Sequence, residues 1–209
     1  MFSEDFIGRA LLAAPAIFFA LTVHEFFHAW TALRFGDTTA RDLGRLTLNP
    51  LAHLDLFGTI MMFVSQFRFG WAKPVPVDLR HCRNPRVADF WVTAAGPISN
   101  LGLALIFGTM FRFLIANNFR VHEGVYHFLT ISVLINISLA FFNLIPLFPL
   151  DGSHMLRSIL PPSMGATIDK IDVAAPFILI ILIVSGATWV VIGPLVSLAF
   201  GIVTGLSLG

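Results

Sequence analysis

Four stretches of this chain, at about residues 7–33, 88–116, 125–150 and 174–192, are apolar over lengths that water cannot accommodate. A helix needs roughly 20 mostly apolar residues to cross the hydrocarbon layer of a bilayer, and each stretch supplies them. The 209 residues are 56% hydrophobic and only 12% charged, whereas about a quarter of a soluble domain is charged. The expected fold class is therefore a polytopic α-helical membrane protein, with residues 1–209 forming a single membrane-embedded domain. Two further stretches are weaker. Residues 51–69 carry His53, Asp55, Gln66 and Arg68, and residues 194–208 follow a Gly193-Pro194 break and are short for an ordinary span. The start, MFSEDFIGR, has two acids before its first Arg and lacks the basic opening of a secretory signal, so the first stretch is expected to be retained in the membrane.

Charge and cysteine usage remove several function classes. A net charge of +1, with no basic stripe interleaved with aromatics, argues against nucleic acid as a partner. Cys82 stands alone, which excludes an internal disulfide and a thiolate metal cage. Between the first two long stretches, Gly70-Trp71-Ala72-Lys73-Pro74-Val75-Pro76-Val77 has prolines two apart. That spacing forbids helix and suits a small extended, edge-like β element.

The chemistry is concentrated in His24-Glu25-Phe26-Phe27-His28, inside the first stretch. Histidines at i and i+4 share one face of a helix, one turn apart. They can therefore offer two imidazole nitrogens to one tetrahedral metal, and Glu25 flanks the same face as a base for water activated there. Ionisable groups inside a span are expensive and read as functional; the alternative is that both histidines simply bond to neighbouring helices. The best candidate for a third ligand is Asp151, in the sequence NLIPLFPLDG over residues 143–152. Pro146 and Pro149 there break helical geometry and free carbonyls that are tolerated at membrane depth only beside protein or water. The alternative for Asp151-Gly152 is an ordinary turn at a helix C-terminus. Gly96, Pro97 and Asn100 read as small residues permitting close helix packing. His154 reads as a membrane-edge histidine, and His53, His81, His122 and His127 have no ligand spacing. The 22 Phe residues are expected to face lipid or fill space between helices.

HEFFH in an early span with NLIPLFPLDG in a later one resembles the site-2 protease family of intramembrane zinc metalloproteases. It is most similar to the compact bacterial-type members without an inserted peptide-binding domain. FGWAKPVPV at 69–77 and AAGPISN at 94–100 fit the same subgroup, so the resemblance covers about residues 20–155. It implies Zn²⁺ held by His24, His28 and Asp151, Glu25 as catalytic base, and a polar role for Asn143. It also implies an integral protein of a bacterial-type cell membrane, with membrane proteins or membrane peptides as substrates.

The shared metal constrains topology. His28 and Asp151 both lie at the C-terminal ends of their stretches, so an odd number of crossings must separate them. The stretch 88–116 supplies one, and 51–69 is therefore expected to enter and return without crossing. Lys and Arg then divide ten to three, which points to a cytoplasmic active site by the positive-inside rule. Extended substrate could pair with the edge at 71–77. A metal or proton transporter using intramembrane His and Asp is the competing class, although it has no need of Glu25. A catalytically dead scaffold is a third, opposed by the intact ligand and base set.

Overall fold

A computed structural model describes residues 4–65 and 70–207. Eight α-helices occur among them: α1 (Glu4–Arg34), α2 (Thr39–Asp42), α3 (Leu56–Val64), α4 (Pro85–Ala116), α5 (Glu123–Asn143), α6 (Asp151–Ile159), α7 (Gly165–Val184) and α8 (Ala187–Thr204). Four are long and apolar enough to cross a membrane: α1 from Leu11 to Arg34, α4, α5 and α8.

Side-chain pairs fix how the long helices run. Asn100 reaches the Ala20 carbonyl, and His28 reaches Val92. Positions thus climb in α1 as they fall in α4, and the two helices are antiparallel. Between α4 and α5, Asn100 meets Asn136, Phe107 meets Phe128 and Phe111 meets Tyr126, again antiparallel. Arg112, near the end of α4, bonds the Ile202 carbonyl near the end of α8, while Trp189 and Ile192 at the start of α8 line a cavity with Phe142 at the end of α5, so α8 runs parallel to α4. The buried cluster of Ala104, Val133, Ile137, Ile192, Val196 and Phe200 joins α4, α5 and α8 below the level of the histidines.

The last apolar region divides differently from the sequence expectation. The helix break falls at Gly186, whose φ of 76° ends one helix and starts the next. Helix α8 continues through Gly193-Pro194, because proline is tolerated inside membrane helices where neighbours re-satisfy the freed carbonyl. The expected stretch 174–192 is thus split between α7 and α8. Helix α7 also carries Asp169, Lys170 and Asp172.

Helix α5 stops at Asn143, seven residues earlier than the apolar stretch suggests, and Asp151 opens a separate helix, α6. Pro146 and Pro149 explain the stop, since neither can donate to a continuing ladder. Among the described residues there is no β-strand. The segment at 70–77 is extended but pairs only through a single antiparallel bridge, Leu54 with Ala72, beside a bond from the Lys73 amide to the His53 carbonyl. Its prolines remove the donors that a longer ladder would need. Part of the 51–69 stretch, residues 66–69, lies outside the described residues.

Candidate metal centre

His24 and His28 project from one face of α1 with their ring centroids 4.5 Å apart, and both are buried. Asp151, at the first position of α6, faces them. The Asp151 Oδ2 lies 3.1 Å from His24 Nε2 and 3.3 Å from His28 Nε2, and the two Nε2 atoms are 3.0 Å apart. A zinc ion bound at about 2.0–2.1 Å by tetrahedral ligands separates those ligand atoms by about 3.3 Å. The triangle already has that size.

The protons support the same conclusion. His28 Nδ1 lies 2.6 Å from the Val92 carbonyl, which can only accept, so Nδ1 carries the hydrogen. His24 Nδ1 lies 2.6 Å from Asn100 Oδ1, also an acceptor. With Nδ1 of each ring engaged on the far side, Nε2 of each is the nitrogen turned toward Asp151, whose Oδ2 is buried between its two close neighbours. Two imidazole nitrogens and a carboxylate oxygen converging on one point suit a cation between them. The donor set fits a borderline-soft divalent ion such as zinc. His24, His28 and Asp151 are also the one group of that kind among the described residues.

Close approach of α4 makes this possible. A Cβ on Gly96 would lie 2.4 Å from His28 Nε2 and 2.6 Å from His24 Cε1, so only glycine lets the helix pass. Pro97 has no N–H for the Thr93 carbonyl, and the turn so loosened includes Val92, which bonds His28.

Glu25 is buried beside the pair, and its Oε2 accepts the Val75 N–H at 2.8 Å. Val75 lies between two prolines that have no N–H. The extended segment therefore meets the glutamate through the one amide available there. It is anchored on Asp37, buried after α1, which accepts from the Asp78 amide at 2.7 Å and from both the amide and hydroxyl of Thr39. Burial alone would push the Asp37 carboxyl up, but these bonds and His81 outweigh it and hold the carboxyl below its usual range.

Asn143 is not drawn into the triangle. It is partly buried and donates through Nδ2 to its own helix at the Leu139 carbonyl, 3.0 Å away. His154 turns toward Asp89 at 3.5 Å, and that contact raises its pKa against the opposing effect of burial. Asn100 belongs to the centre although its sequence reading was packing alone; an amide inside an apolar helix was the available signal. Asn136 gave the same signal.

An apolar cavity of about 380 Å³ opens along α1 and α5 in the turns preceding His24 and Asn143, lined by Phe18, Leu21, Leu139 and Phe142 and by none of the three converging residues. Trp71 and Ala72 of the extended segment and Trp189 of α8 form its sides.

Comparison with known proteins agrees with this chemistry. The family model described as "Peptidase family M50" matches residues 112–186, which include Asp151 and run past the motif-based limit near 155. "Putative zinc metalloprotease YwhC" of Bacillus subtilis is 38% identical over 182 residues, 85% of this chain and 82% of its own. "Putative zinc metalloprotease Rip2" of Mycolicibacterium smegmatis is 30% identical over 76% of this chain and 61% of its own. "Zinc metalloprotease MJ0392" of Methanocaldococcus jannaschii is 24% identical over 71% of this chain but only 34% of its own. No solved structure matches significantly. With its buried His-Glu-His face, its converging aspartate and a relative this similar along most of both chains, the chain belongs to peptidase family M50, the site-2 proteases, and is a metalloprotease.

Proposed function

We propose that this chain is an intramembrane zinc endopeptidase, cutting peptide bonds in or near transmembrane segments of membrane proteins. His24, His28 and Asp151 hold the metal, Glu25 is the base, and the site faces the cytoplasm. The observation that carries this reading is the convergence of His24 Nε2, His28 Nε2 and Asp151 Oδ2, each within 3.3 Å of the others, beside a buried glutamate. When bound, zinc supplies Lewis-acid polarisation of the scissile carbonyl and makes water more acidic.

The chain's own groups do the rest. Glu25 takes a proton from the attacking water and returns it to the leaving amine. The Val75 amide keeps one of its oxygens oriented and leaves the other for that proton. Asn143 hydrogen-bonds the substrate backbone or the developing oxyanion, after its amide turns away from Leu139. The apolar cavity supports a membrane-embedded substrate, since its floor offers Phe and Leu side chains rather than charges. Extended substrate pairs with the exposed edge near Ala72.

The cytoplasmic orientation is supported by the Lys and Arg of the sequence, which divide ten to three in favour of the metal side when residues 51–69 do not cross. Residues 51–69 are re-entrant in this reading, supported by the bridge between Leu54 and Ala72 that brings the two ends of the segment together.

The test is Glu25→Gln in proteoliposomes with a transmembrane peptide substrate. The variant should keep its zinc and fold while cleavage falls by about 10²–10⁴-fold. Turnover at the wild-type rate would remove Glu25 as the base and assign the proton transfer to another group.

A further inference from the structure

We propose that Asn100 and Asn136 form a two-amide relay that sets the tautomer and ring orientation of His24, making Asn136 a positioning residue for a metal it does not touch. The proposal rests on His24 being a zinc ligand. All the participants are buried: Asn100 and Asn136 are 0% exposed, and His24 is 4% exposed. His24 Nδ1 lies 2.6 Å from Asn100 Oδ1, Asn100 Nδ2 lies 2.9 Å from Asn136 Oδ1, and Asn136 Nδ2 lies 2.8 Å from the Ser132 carbonyl. Asn100 Nδ2 also lies 3.2 Å from the Ala20 carbonyl.

The direction of this chain follows from its ends. A main-chain carbonyl only accepts, so the amide nitrogen of Asn136 must face Ser132 and that of Asn100 must face Ala20. The oxygen of Asn136 is then left for Asn100, and the oxygen of Asn100 for His24. His24 must give its Nδ1 hydrogen to that oxygen, so of the two neutral tautomers the one with an unprotonated Nε2 is selected. Reversing the Asn100 amide would put an N–H against His24 Nδ1 and move the ring hydrogen to Nε2. That hydrogen would then point at His28 Nε2, 3.0 Å away, and at Asp151, where the cation belongs.

The two ligands thus reach the same tautomer by different routes. His28 bonds a main-chain carbonyl directly, at Val92, whereas His24 depends on two side chains from two other helices. A pair of amides that served only to hold α4 to α5 would work in either polarity. Here the carbonyls of Ala20 and Ser132 allow one polarity, and it is the one that frees the metal-facing nitrogen.

Zinc affinity measured by chelator competition tests the relay in Asn136→Leu, Asn100→Leu and the double variant. Each single change should weaken zinc binding by about 10–100-fold, as loss of an outer partner to a ligand histidine does. The double variant should be no weaker than Asn100→Leu, because Asn136 acts through Asn100. Wild-type affinity in Asn136→Leu, or an equal further loss in the Asn100→Leu background, would overturn the proposal. A readout that needs no substitution is the nitrogen spectrum of ¹⁵N-histidine-labelled wild-type protein loaded with zinc. His24 should carry its hydrogen on Nδ1 and bind the metal through Nε2; metal bound at Nδ1 would overturn the relay. Unchanged zinc binding in His24→Ala would instead sink the site reading itself. Zinc lost in His24→Ala but kept in Asn136→Leu sinks only the relay.

Discussion

Gly96 decides how near α4 comes to the two histidines, and no larger residue fits. Its Cβ would stand 2.4 Å from His28 Nε2 and 2.6 Å from both His24 Cε1 and His28 Cε1. Gly96→Ala should therefore act on the metal more than on the fold. Overpacking costs about 1–3 kcal/mol of stability, which a four-span bundle survives, while displaced imidazoles lose the triangle that fits zinc. Zinc content per chain should fall well below one with helicity unchanged; full occupancy in Gly96→Ala would mean that α4 can retreat without disturbing His24 and His28. At this scale the sequence was most legible where residues come in spaced sets. His24, Glu25 and His28 declare themselves by helical periodicity, and Asp151 by standing at the end of an apolar stretch. Asn100, Asn136 and the Val92 carbonyl do not, because their roles depend on which helix lies opposite, and one sequence alone does not say that. Asn143 is the reverse case. It was conspicuous in its motif, yet it bonds back to Leu139.

The extended segment from Gly70 to Asp78 ties two distant parts of the chain to the face of α1 that carries Glu25. One end pairs with His53 through Lys73, the middle meets Glu25 through Val75, and the far end is fastened to Asp37 through Asp78. Asp37 is 1% exposed and has its pKa held down. A carboxyl with a depressed folded pKa contributes stability above its unfolded value near 3.9 and loses it as pH falls through the folded value. The fastening should therefore be intact at neutral pH and release only on acidification below about 4. Asp37→Asn mimics the released state at every pH, and the loss of charge-assisted acceptance should cost about 2 kcal/mol locally. Hydrogen exchange, corrected for intrinsic rates, is the measurement. Amides of residues 75 and 78 should exchange faster in Asp37→Asn at neutral pH, and wild-type exchange at Val75 would uncouple Asp37 from the segment over Glu25. Prolines foretold that this element is not helical. They did not foretell that it stops at a single bridge, because pairing needs a partner edge and Leu54 is the only residue that bridges it among those described. The helix break between α7 and α8 was misplaced for a related reason. Gly-Pro looks like the stronger signal, but a lone glycine at φ 76° turns the chain while Pro194 is absorbed within a helix.

The whole molecule depends on one parity argument. If α1, α4, α5 and α8 cross the membrane, the C-terminal end of α1 and the start of α6 lie on one side, and His28 can meet Asp151. An extra crossing by residues 51–69 would separate them by about a bilayer thickness, roughly 30 Å. Helix α3 has nine residues, and at about 1.5 Å per residue it covers less than half of that depth. The segment's two ends meet through the bridge of Leu54 with Ala72, and α3 itself lies hard against the returning extended segment. A Cβ on Gly58 would sit 2.1 Å from the Trp71 carbonyl. Hydropathy sees only the apolar stretch from Leu56 to Val64, and so cannot distinguish a helix that spans from one that turns back. The proposed metal ligands can, because His24, His28 and Asp151 converge. Single cysteines at Leu51 and Lys73, both exposed, in a Cys82→Ser background distinguish the two topologies. Glycine 70 is unsuitable for this purpose, since its Cβ would lie 2.7 Å from the side chain of Met62. An impermeant thiol reagent applied to oriented vesicles should label both cysteines from the cytoplasmic face and neither from the opposite face. Labelling from opposite faces would make 51–69 a true span and put Asp151 out of reach of His24 and His28. Labelling of both from the outer face would keep the re-entrant segment and reverse the orientation read from Lys and Arg.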